Sequence, residues 1–556
     1  MRILLISTIL IVLNSCNNKV EVDLIIFNGT IHTVSNTKVV ESIAVKDGLI
    51  YDLGNIQKIN KYKSENTKII DLKGSTIIPG FIEGHGHIMG VGYNEMNLDL
   101  LKTNSYDEII DMVKNKSKSI EEGEWIIGRG WHQDKWKDSP EKLIKGFPTH
   151  DKLSKAIPNH PVYLRHASGH ASLANAKAME MFQVNKKSID PDGGEIFRDI
   201  SGNPTGVFNE TAQGMINPPS NTFEDHLKAL KLANDHAIKN GITSFHDAGS
   251  DFRDIQAYET LAENNELDLR LYIMLNGRND SLLNYYYSKG PQIGLYDDHL
   301  TIRSIKLYAD GALGSRGAWL IEDYSDQEGA HGHVVTPIET LKRVTKEGAN
   351  YNFQICTHAI GDMANREVLN IYEENLNPNN NKRFRIEHSQ HIDLDDIPRF
   401  SELGVIASIQ GIHLSSDRPW AINRLGKVRI VDSAYPWRKL IESGALLVNG
   451  TDAPVEPINP IESFYASVTR KTLEGQPDVG YEPEEKMTRI EALESYTING
   501  AYAAFEEDIK GSIEIGKLAD FTVLDQDILT TEEDKILNTK ILMTIIGGEI
   551  KFNNFK

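Results

Sequence analysis

Cysteine is almost absent from this chain: 556 residues hold two, Cys16 and Cys356. A disulfide framework is thereby excluded, and the fold must rest on its own apolar core. Basic residues are in deficit as well, with 59 Lys and Arg against 79 Asp and Glu, a net charge of -20. The excess is spread along the chain, which reads as solubility and argues against nucleic acid, where a basic surface is expected. Long apolar runs are also missing. No stretch reads as a transmembrane helix, and there is no internal repeat or low-complexity tract.

The N-terminus carries one short apolar run. Residues 1–15, MRILLISTILIVLNS, join one positive charge to an apolar segment and a small residue before Cys16. That run is too short to cross a bilayer as a helix, so a cleaved signal segment over 1–15 is expected. Leu13-Asn14-Ser15-Cys16 resembles a bacterial lipoprotein box, in which the cysteine is lipidated and becomes the new N-terminus. Cys16 is the expected lipidation site; an ordinary signal peptide cut nearby is the alternative. Such a protein is exported to the cell envelope, in the periplasm or at the cell surface, and meets membrane only through its lipid anchor.

Both ends of the remaining chain read as strands. Asp23–Asp71 holds runs such as Ile43–Val45 and Leu49–Leu53, with Asn28-Gly29 and Asp47-Gly48 as hairpin chemistry. Phe521–Leu524, Ile541–Ile546 and Glu549–Phe552 repeat that texture around Gly547-Gly548. The expectation is one small β-sandwich built from residues 20–78 and 508–556. Residues 79–507 alternate strands and helices instead. Strand candidates are Thr76–Phe81, Ile242–His246, Leu269–Leu275, Ile302–Tyr308, Phe353–His358, Arg383–His388, Val405–Ile409 and Ala445–Val448. Eight strand–helix units predict an α/β fold, a (β/α)8 barrel of the TIM type.

Helix signals support that register. Phe223–Asn240 has apolar residues at helical spacing and stops at Gly241, while Thr488-Arg489-Ile490-Glu491 is a capping box opening a helix through Ala504. The gap from Phe81 to Ile242 is too long for a loop. An insertion over about 90–220 is expected at the barrel's C-terminal face, shaping the substrate pocket. Its aromatics, as in Trp125–Trp136, line that pocket or form the insertion's own core.

The chemistry gathers around Ile77–Ile88, IIPGFIEGHGHI, an apolar strand ending in His85-Gly86-His87. Residues two apart on a strand point the same way, so both imidazoles can reach one metal ion. Lys306, His358, His388 and Asp452 stand at four other predicted C-terminal strand ends, which in a barrel converge on one face. Imidazole and carboxylate donors without thiolate suit Zn²⁺, with Mn²⁺ or Fe²⁺ as alternatives. Singly, each has a plainer reading: a hydrogen-bonded histidine, a turn-capping Asp452, a Lys306 salt bridge to Asp310. The case rests on their joint placement.

Several motifs carry a family likeness: PGFIEGHGH at 79–87, GRGW at 128–131, SGHA at 168–171, GITSFHDAG at 241–249 and KLYADGALGSRGA at 306–318. THAIGDMANR at 357–366, RIEHSQ at 385–390, TDAPVEP at 451–457 and GSIEIGKLADFTVLD at 511–525 extend it. Together they resemble the metal-dependent amidohydrolase superfamily, in particular its amidohydrolase-3 branch, which includes N-substituted formamide deformylases. The resemblance covers nearly the whole chain. It implies a barrel flanked by a β-sandwich from both termini, with one or two divalent metal ions.

By the same resemblance His85 and His87 bind one metal, His358 and His388 a second, and a carboxylated Lys306 bridges them. Asp452 binds metal and takes the proton of the attacking water. A pair of ions ~3.5–4 Å apart can make hydroxide near neutral pH and polarise a carbonyl. His170, Arg316, Gln410 and His413 match further positions that contact substrate. Glu83 stands where many members have Asp. Gly411 follows Gln410 where proline is common, and Ala453 follows Asp452 where tryptophan is frequent.

The function expected is hydrolysis of a non-peptide C–N bond, amide or formamide in type, in a small molecule. A deaminase or an ester or lactone hydrolase would use the same metal site. A catalytically dead surface binding protein is the alternative outside enzymes; it predicts decay among the ligands, and all six are present.

Overall fold

A computed structural model describes residues 20–555 except 37, 134, 135, 139, 168–170, 192, 193, 378 and 379, together with the side chain of Glu210. The expected leader, Cys16 and His170 therefore lie outside the described residues. No helix among those described is long and apolar enough to cross a membrane.

Eight strands ladder in parallel into a nearly closed barrel. In chain order they are Phe81–Gly86, Ile242–Ser250, Arg270–Asn276, Leu300–Tyr308, Gln354–Ala359, Arg385–His388, Ile406–Ile409 and Leu447–Asn449. They are called the first to eighth barrel strands below. The mixed α/β barrel matches the TIM-type expectation. The first and eighth strands do not ladder, but they approach so closely that a Cβ on Gly84 would fall 2.4 Å from the Asn449 carbonyl oxygen. Helices pack outside this wall, and Leu230, Ala233, Ile302, Val344, Phe400 and Leu440 belong to one continuous apolar core. Burial of such side chains supplies the main stabilisation, about 25 cal/mol per Å² of apolar surface.

The expected first strand is corrected. Thr76–Pro79 belongs to another sheet, pairing antiparallel with Phe521–Leu524, and the first barrel strand starts at Phe81. Gly80 makes the transition, where a Cβ would lie 2.2 Å from Thr243 Oγ1. That other sheet joins eight strands from both ends of the chain in one hydrogen-bonded array, from Leu24–His32 to Glu549–Asn553. Ile26, Ile43, Ile77, Phe521 and Ile545 meet in its core.

Asp47 and Gly48, both at positive φ, turn the hairpin between Val39–Lys46 and Leu49–Gly54. Asn28-Gly29 instead falls inside the strand Leu24–His32, where the register shifts between Phe27 and Ile31. A turn-forming pair has there been used as a β-bulge. Thr222 and Asp225 form a capping box on Phe223–Lys239, and Gly241 follows at φ 79°. Thr488 and Glu491 cap Arg489–Ser495, but the predicted single helix through Ala504 breaks and resumes as Ile498–Ala503.

Between the first two barrel strands lies a six-stranded sheet, from Leu98–Asp99 to Pro204–Glu210. Trp131 and Trp136 are buried with Leu100, Ile109, Leu164 and Val207 in a core of its own. These tryptophans are structural residues of the insertion, not pocket walls.

Candidate metal centre

The C-terminal ends of the barrel strands bring the six expected ligands to one place. His85 lies near the end of the first strand, and His87 follows it at the start of the helix Ile88–Met96. Lys306, His358 and His388 come from the fourth, fifth and sixth strands, and Asp452 from the turn after the eighth. His85 and His388 have ring centroids 4.9 Å apart, and His358 and His388 4.4 Å. Asp452 Oδ1 lies 3.2 Å from His87 Nε2 and 3.6 Å from His85 Nε2. Lys306 Nζ is 3.0 Å from His85 Nε2 and its residue is 1% exposed.

Backbone contacts fix this arrangement across the barrel seam. The Asp452 N–H donates to the His85 carbonyl at 2.8 Å, and the His87 N–H donates to Ala453 at 2.7 Å. Glu83 accepts from the Thr451 N–H at 2.6 Å and its hydroxyl at 3.0 Å. Burial pushes the Glu83 carboxyl up to about 8. Asp452 and His388 both sit at positive φ, 57° and 78°, a conformation that side-chain-bearing residues hold only where neighbours impose it. Glycine is required at position 86, where a Cβ would strike Phe245 at 2.5 Å.

Hydrogen bonds select the imidazole tautomers. His85 Nδ1 lies 2.5 Å from Glu387 Oε2, so Nδ1–H donates and the Nε2 lone pair faces the cluster. His388 Nδ1 lies 2.8 Å from Gln410 Oε1 and is set the same way. Burial, then the Lys306 charge, lowers the His85 imidazole to about 4. Burial and the neighbouring His358 hold His388 well below the ordinary histidine range. Burial alone would raise Asp452, but His87, His388 and His85 around it hold the carboxyl well below its usual value. Burial also lowers the Lys306 ammonium from its ordinary value.

These groups fit a divalent cation. His85, His87 and Asp452 offer donor atoms all within 4.8 Å of one another. Asp452 Oδ1 and His358 Nε2 are buried and have no hydrogen-bond partner. His87 stands close to Asp452 Oδ1, and Asp310 lies 3.3 Å from His358 Nε2, but neither contact is aligned as a hydrogen bond. Cys356, on the fifth strand, is no thiolate donor: it donates to Gln354 Oε1, and burial pushes its thiol up to about 12. The donor set is nitrogen and oxygen, as expected for a hard or borderline ion.

Of the expected substrate residues, Gln410 touches His388, and His413 stacks on His388 at 6.2 Å with a buried, unpartnered Nε2. Arg316 makes a fork to Asp326, at 3.0 and 2.9 Å, and no contact among the described residues joins it to the histidines. Gly411 donates its N–H to Asn449 Oδ1 at 3.0 Å, a bond proline could not make. Lys306 does not pair with Asp310, whose carboxylate accepts from the backbone of Trp319, Ile360 and Gly361.

Glu387 escapes a reading of single motifs. It is fully buried, bonds His85, and receives both Nε and Nη2 of Arg385, at 2.7 and 2.9 Å. The signal was present in Arg385-Ile386-Glu387: two charges at alternate positions of an otherwise apolar strand must face the barrel interior together.

A parallel barrel with this cluster at its C-terminal end defines a metal-dependent hydrolase. The model of the Amidohydrolase family matches residues 68–552, and the chain belongs to that family. It is 32% identical to YtcJ of Bacillus subtilis (strain 168), over 92% of this chain and 96% of that protein. It is 26% identical to the N-substituted formamide deformylase of Arthrobacter pascens, over 95% and 98%. The solved structure of a metal-dependent hydrolase from Pyrococcus horikoshii OT3 superposes with a TM-score of 0.74 at 28% identity, covering 92% of this chain and 99% of that one. The protein is thus an enzyme of the amidohydrolase class.

Proposed function

We propose that the protein hydrolyses an amide- or formamide-type C–N bond of a small molecule, outside peptides. The observation that carries this reading is the buried, donor-free Asp452 Oδ1 among His85, His87 and His388 at the open end of the barrel. His85, His87, Lys306, His358, His388 and Asp452 would hold one or two divalent ions, zinc first. A bound divalent ion lowers the pKa of water and polarises a carbonyl. Asp452 takes the proton of the attacking water and returns it to the leaving nitrogen, so that an amine rather than an amide anion departs. Lys306 would serve as its carbamate, an anionic two-oxygen group in place of an ammonium. His413, stacked on His388, and Gln410, bonded to its Nδ1, would contact substrate.

The test is metal content per chain of protein purified without chelator, together with turnover of a panel of N-formyl and N-acyl amines. Metal near two equivalents and amine release on the panel are expected. No bound metal after reconstitution, with no turnover, would overturn the reading.

We also propose that the leader delivers the chain to the envelope and that Cys16 carries its lipid anchor. The support is the Leu13–Cys16 sequence. Cys16→Ser should move the protein from membrane to soluble fractions, and unchanged fractionation would refute the anchor.

A further inference from the structure

Two turns at the edge of the inserted sheet carry the most exposed large apolar side chains among the described residues. Ile200, at the tip between Gly194–Arg198 and Pro204–Glu210, is 107% exposed, and Ile189, shortly before that hairpin, is 86% exposed. Arg198 ties the two turns together. Its Nη2 donates to the Ser188 carbonyl at 2.6 Å and to Asp190 Oδ1 at 3.1 Å, the two neighbours of Ile189. A Cβ on Gly202 would lie 3.5 Å from Lys186 Cε, so the segments also approach at their other ends. Each turn closes on its own polar groups. Asp199 Oδ1 accepts from the N–H groups of Ser201 and Asn203, at 2.9 and 2.8 Å. Ser188 Oγ accepts from the Asn185 N–H, and Asn185 Oδ1 from the Lys187 N–H, both at 2.9 Å. Turn chemistry favours Gly, Asn, Asp and Ser, so a bare isoleucine in each turn is not explained by folding.

The charges around these tips are sorted as well. Asp190 is paired with Arg198, Glu180 faces Lys177 at 3.6 Å, and Asp199 is turned onto its own backbone. Lys186 and Lys187 are exposed beside Ile189, and no carboxylate pairs with either among the described residues. A chain of net charge -20 thus presents, at this corner, two apolar tips next to two uncompensated lysines. Met181 and Phe182, 51% and 36% exposed, precede the same segment. A stable protein partner needs about 800 Å² of shaped surface on each side, far more than two isoleucine tips supply. A bilayer asks for no matching shape: apolar tips enter the acyl boundary while lysines stay among anionic headgroups. The chain's overall negative charge does not forbid this, because at physiological salt charges beyond about 8 Å are largely screened.

We propose that the Ile189 and Ile200 turns, with Lys186 and Lys187, dock the insertion onto a bilayer that contains anionic lipid. This is a membrane contact of the folded chain itself, additional to the anchor expected at Cys16. It depends neither on that anchor nor on the hydrolase reading. With Cys16 lipidated, it would fix which side of the insertion faces the membrane.

The experiment uses the full chain carrying Cys16→Ser, so that no lipid is attached, and vesicles of phosphatidylcholine with or without phosphatidylglycerol. Cys356 is buried, so Ile189→Cys or Ile200→Cys gives one site for a polarity-sensitive fluorophore. Val479→Cys, on an exposed residue of another region, serves as the control. Emission from positions 189 and 200 should shift to the blue on vesicles with phosphatidylglycerol, and emission from 479 should not. Co-sedimentation gives the energetics. Ile189→Ser together with Ile200→Ser should weaken binding about tenfold or more. Lys186→Gln and Lys187→Gln should each remove about fivefold, from the phosphatidylglycerol-dependent part alone. All four side chains are exposed, and unchanged melting of the variants would show that the fold is kept. No shift at 189 and 200, or an equal shift at 479, overturns the docking face. Binding that survives the isoleucine substitutions does the same. A blue shift that needs only higher protein concentration, without vesicles, overturns the bilayer and assigns the tips to a second copy of the chain.

Discussion

Glu387 Oε2 lies 2.5 Å from His85 Nδ1, across the barrel interior and with both side chains fully buried. The carboxylate is charged there because Arg385 and then His85 outweigh the penalty of burial and hold it well below the ordinary glutamate range. It fixes the tautomer that leaves His85 Nε2 free to ligate. Glu387→Gln keeps the shape but weakens the acceptor and leaves Arg385 without its counter-charge. Metal affinity should fall by about 10–100-fold. Stability should fall by about 3–5 kcal/mol, the usual cost of removing one partner from a buried ion pair. Elemental analysis after dialysis and a urea unfolding curve measure the two effects; a variant with unchanged metal content would remove Glu387 from the site.

Asp452 is assigned as the base because its Oδ1 has no donor and stands beside His87 and His85. Asp452→Asn preserves the volume and the backbone bond from residue 452 to the His85 carbonyl. Turnover should drop by at least about 10²–10⁴-fold, the range for a general acid–base group, with folding and most of the metal retained. Activity within tenfold of the parent would transfer the role to another residue.

Lys306 is the one proposed ligand whose ordinary charge opposes metal binding. Its Nζ touches His85 Nε2 in a buried setting, where burial already disfavours the ammonium. Lys306→Ala removes both the amine and its proposed carbamate. Activity should be lost and partly restored by added short carboxylates, which can occupy the vacated space. A fully active variant would exclude a bridging role for Lys306; mass spectrometry of the intact native protein offers a direct search for the added carboxyl group.

Much of this architecture could be read before any coordinates, because barrel strands are short apolar runs and their ends carry the chemistry. His85, His87, Lys306, His358, His388 and Asp452 each close or follow such a run, so a list of strand ends was also a list of neighbours. The first barrel strand begins later than its apolar run suggests, for a physical reason. The run from Ile77 through Ile82 is apolar without a break, and periodicity cannot show that the chain leaves one sheet at Pro79 and enters another at Phe81. Asn28-Gly29 looked like a hairpin turn because a bulge and a turn demand the same positive-φ residues. The joining of the Ile189 and Ile200 turns depends on Arg198 reaching back to Ser188 and Asp190, and no local pattern encodes that.

Far from the metal centre, Glu491 offers a test of how the outer helices are held. It caps Arg489–Ser495 by accepting from the Thr488 N–H at 2.7 Å, and pairs with Arg438 through Nη1 and Nη2, at 2.9 and 2.6 Å. The Arg438 bond is the first cause that brings its carboxyl down from 4.5 to about 2. Glu442 and Glu485 also face Arg438 and keep its guanidinium charged. Because the folded value is depressed, the contribution to stability is whole above pH ~4.5 and fades as the pH falls toward 2. With a quarter of the side chain exposed, solvent screening reduces it to about 1–2 kcal/mol. Glu491→Gln should therefore lower the urea midpoint at pH 7, and the gap from the parent should narrow steadily between pH 4.5 and 2. A gap that stays constant over that window would show that the cap contributes through shape and neutral hydrogen bonding, not through the charge of Glu491.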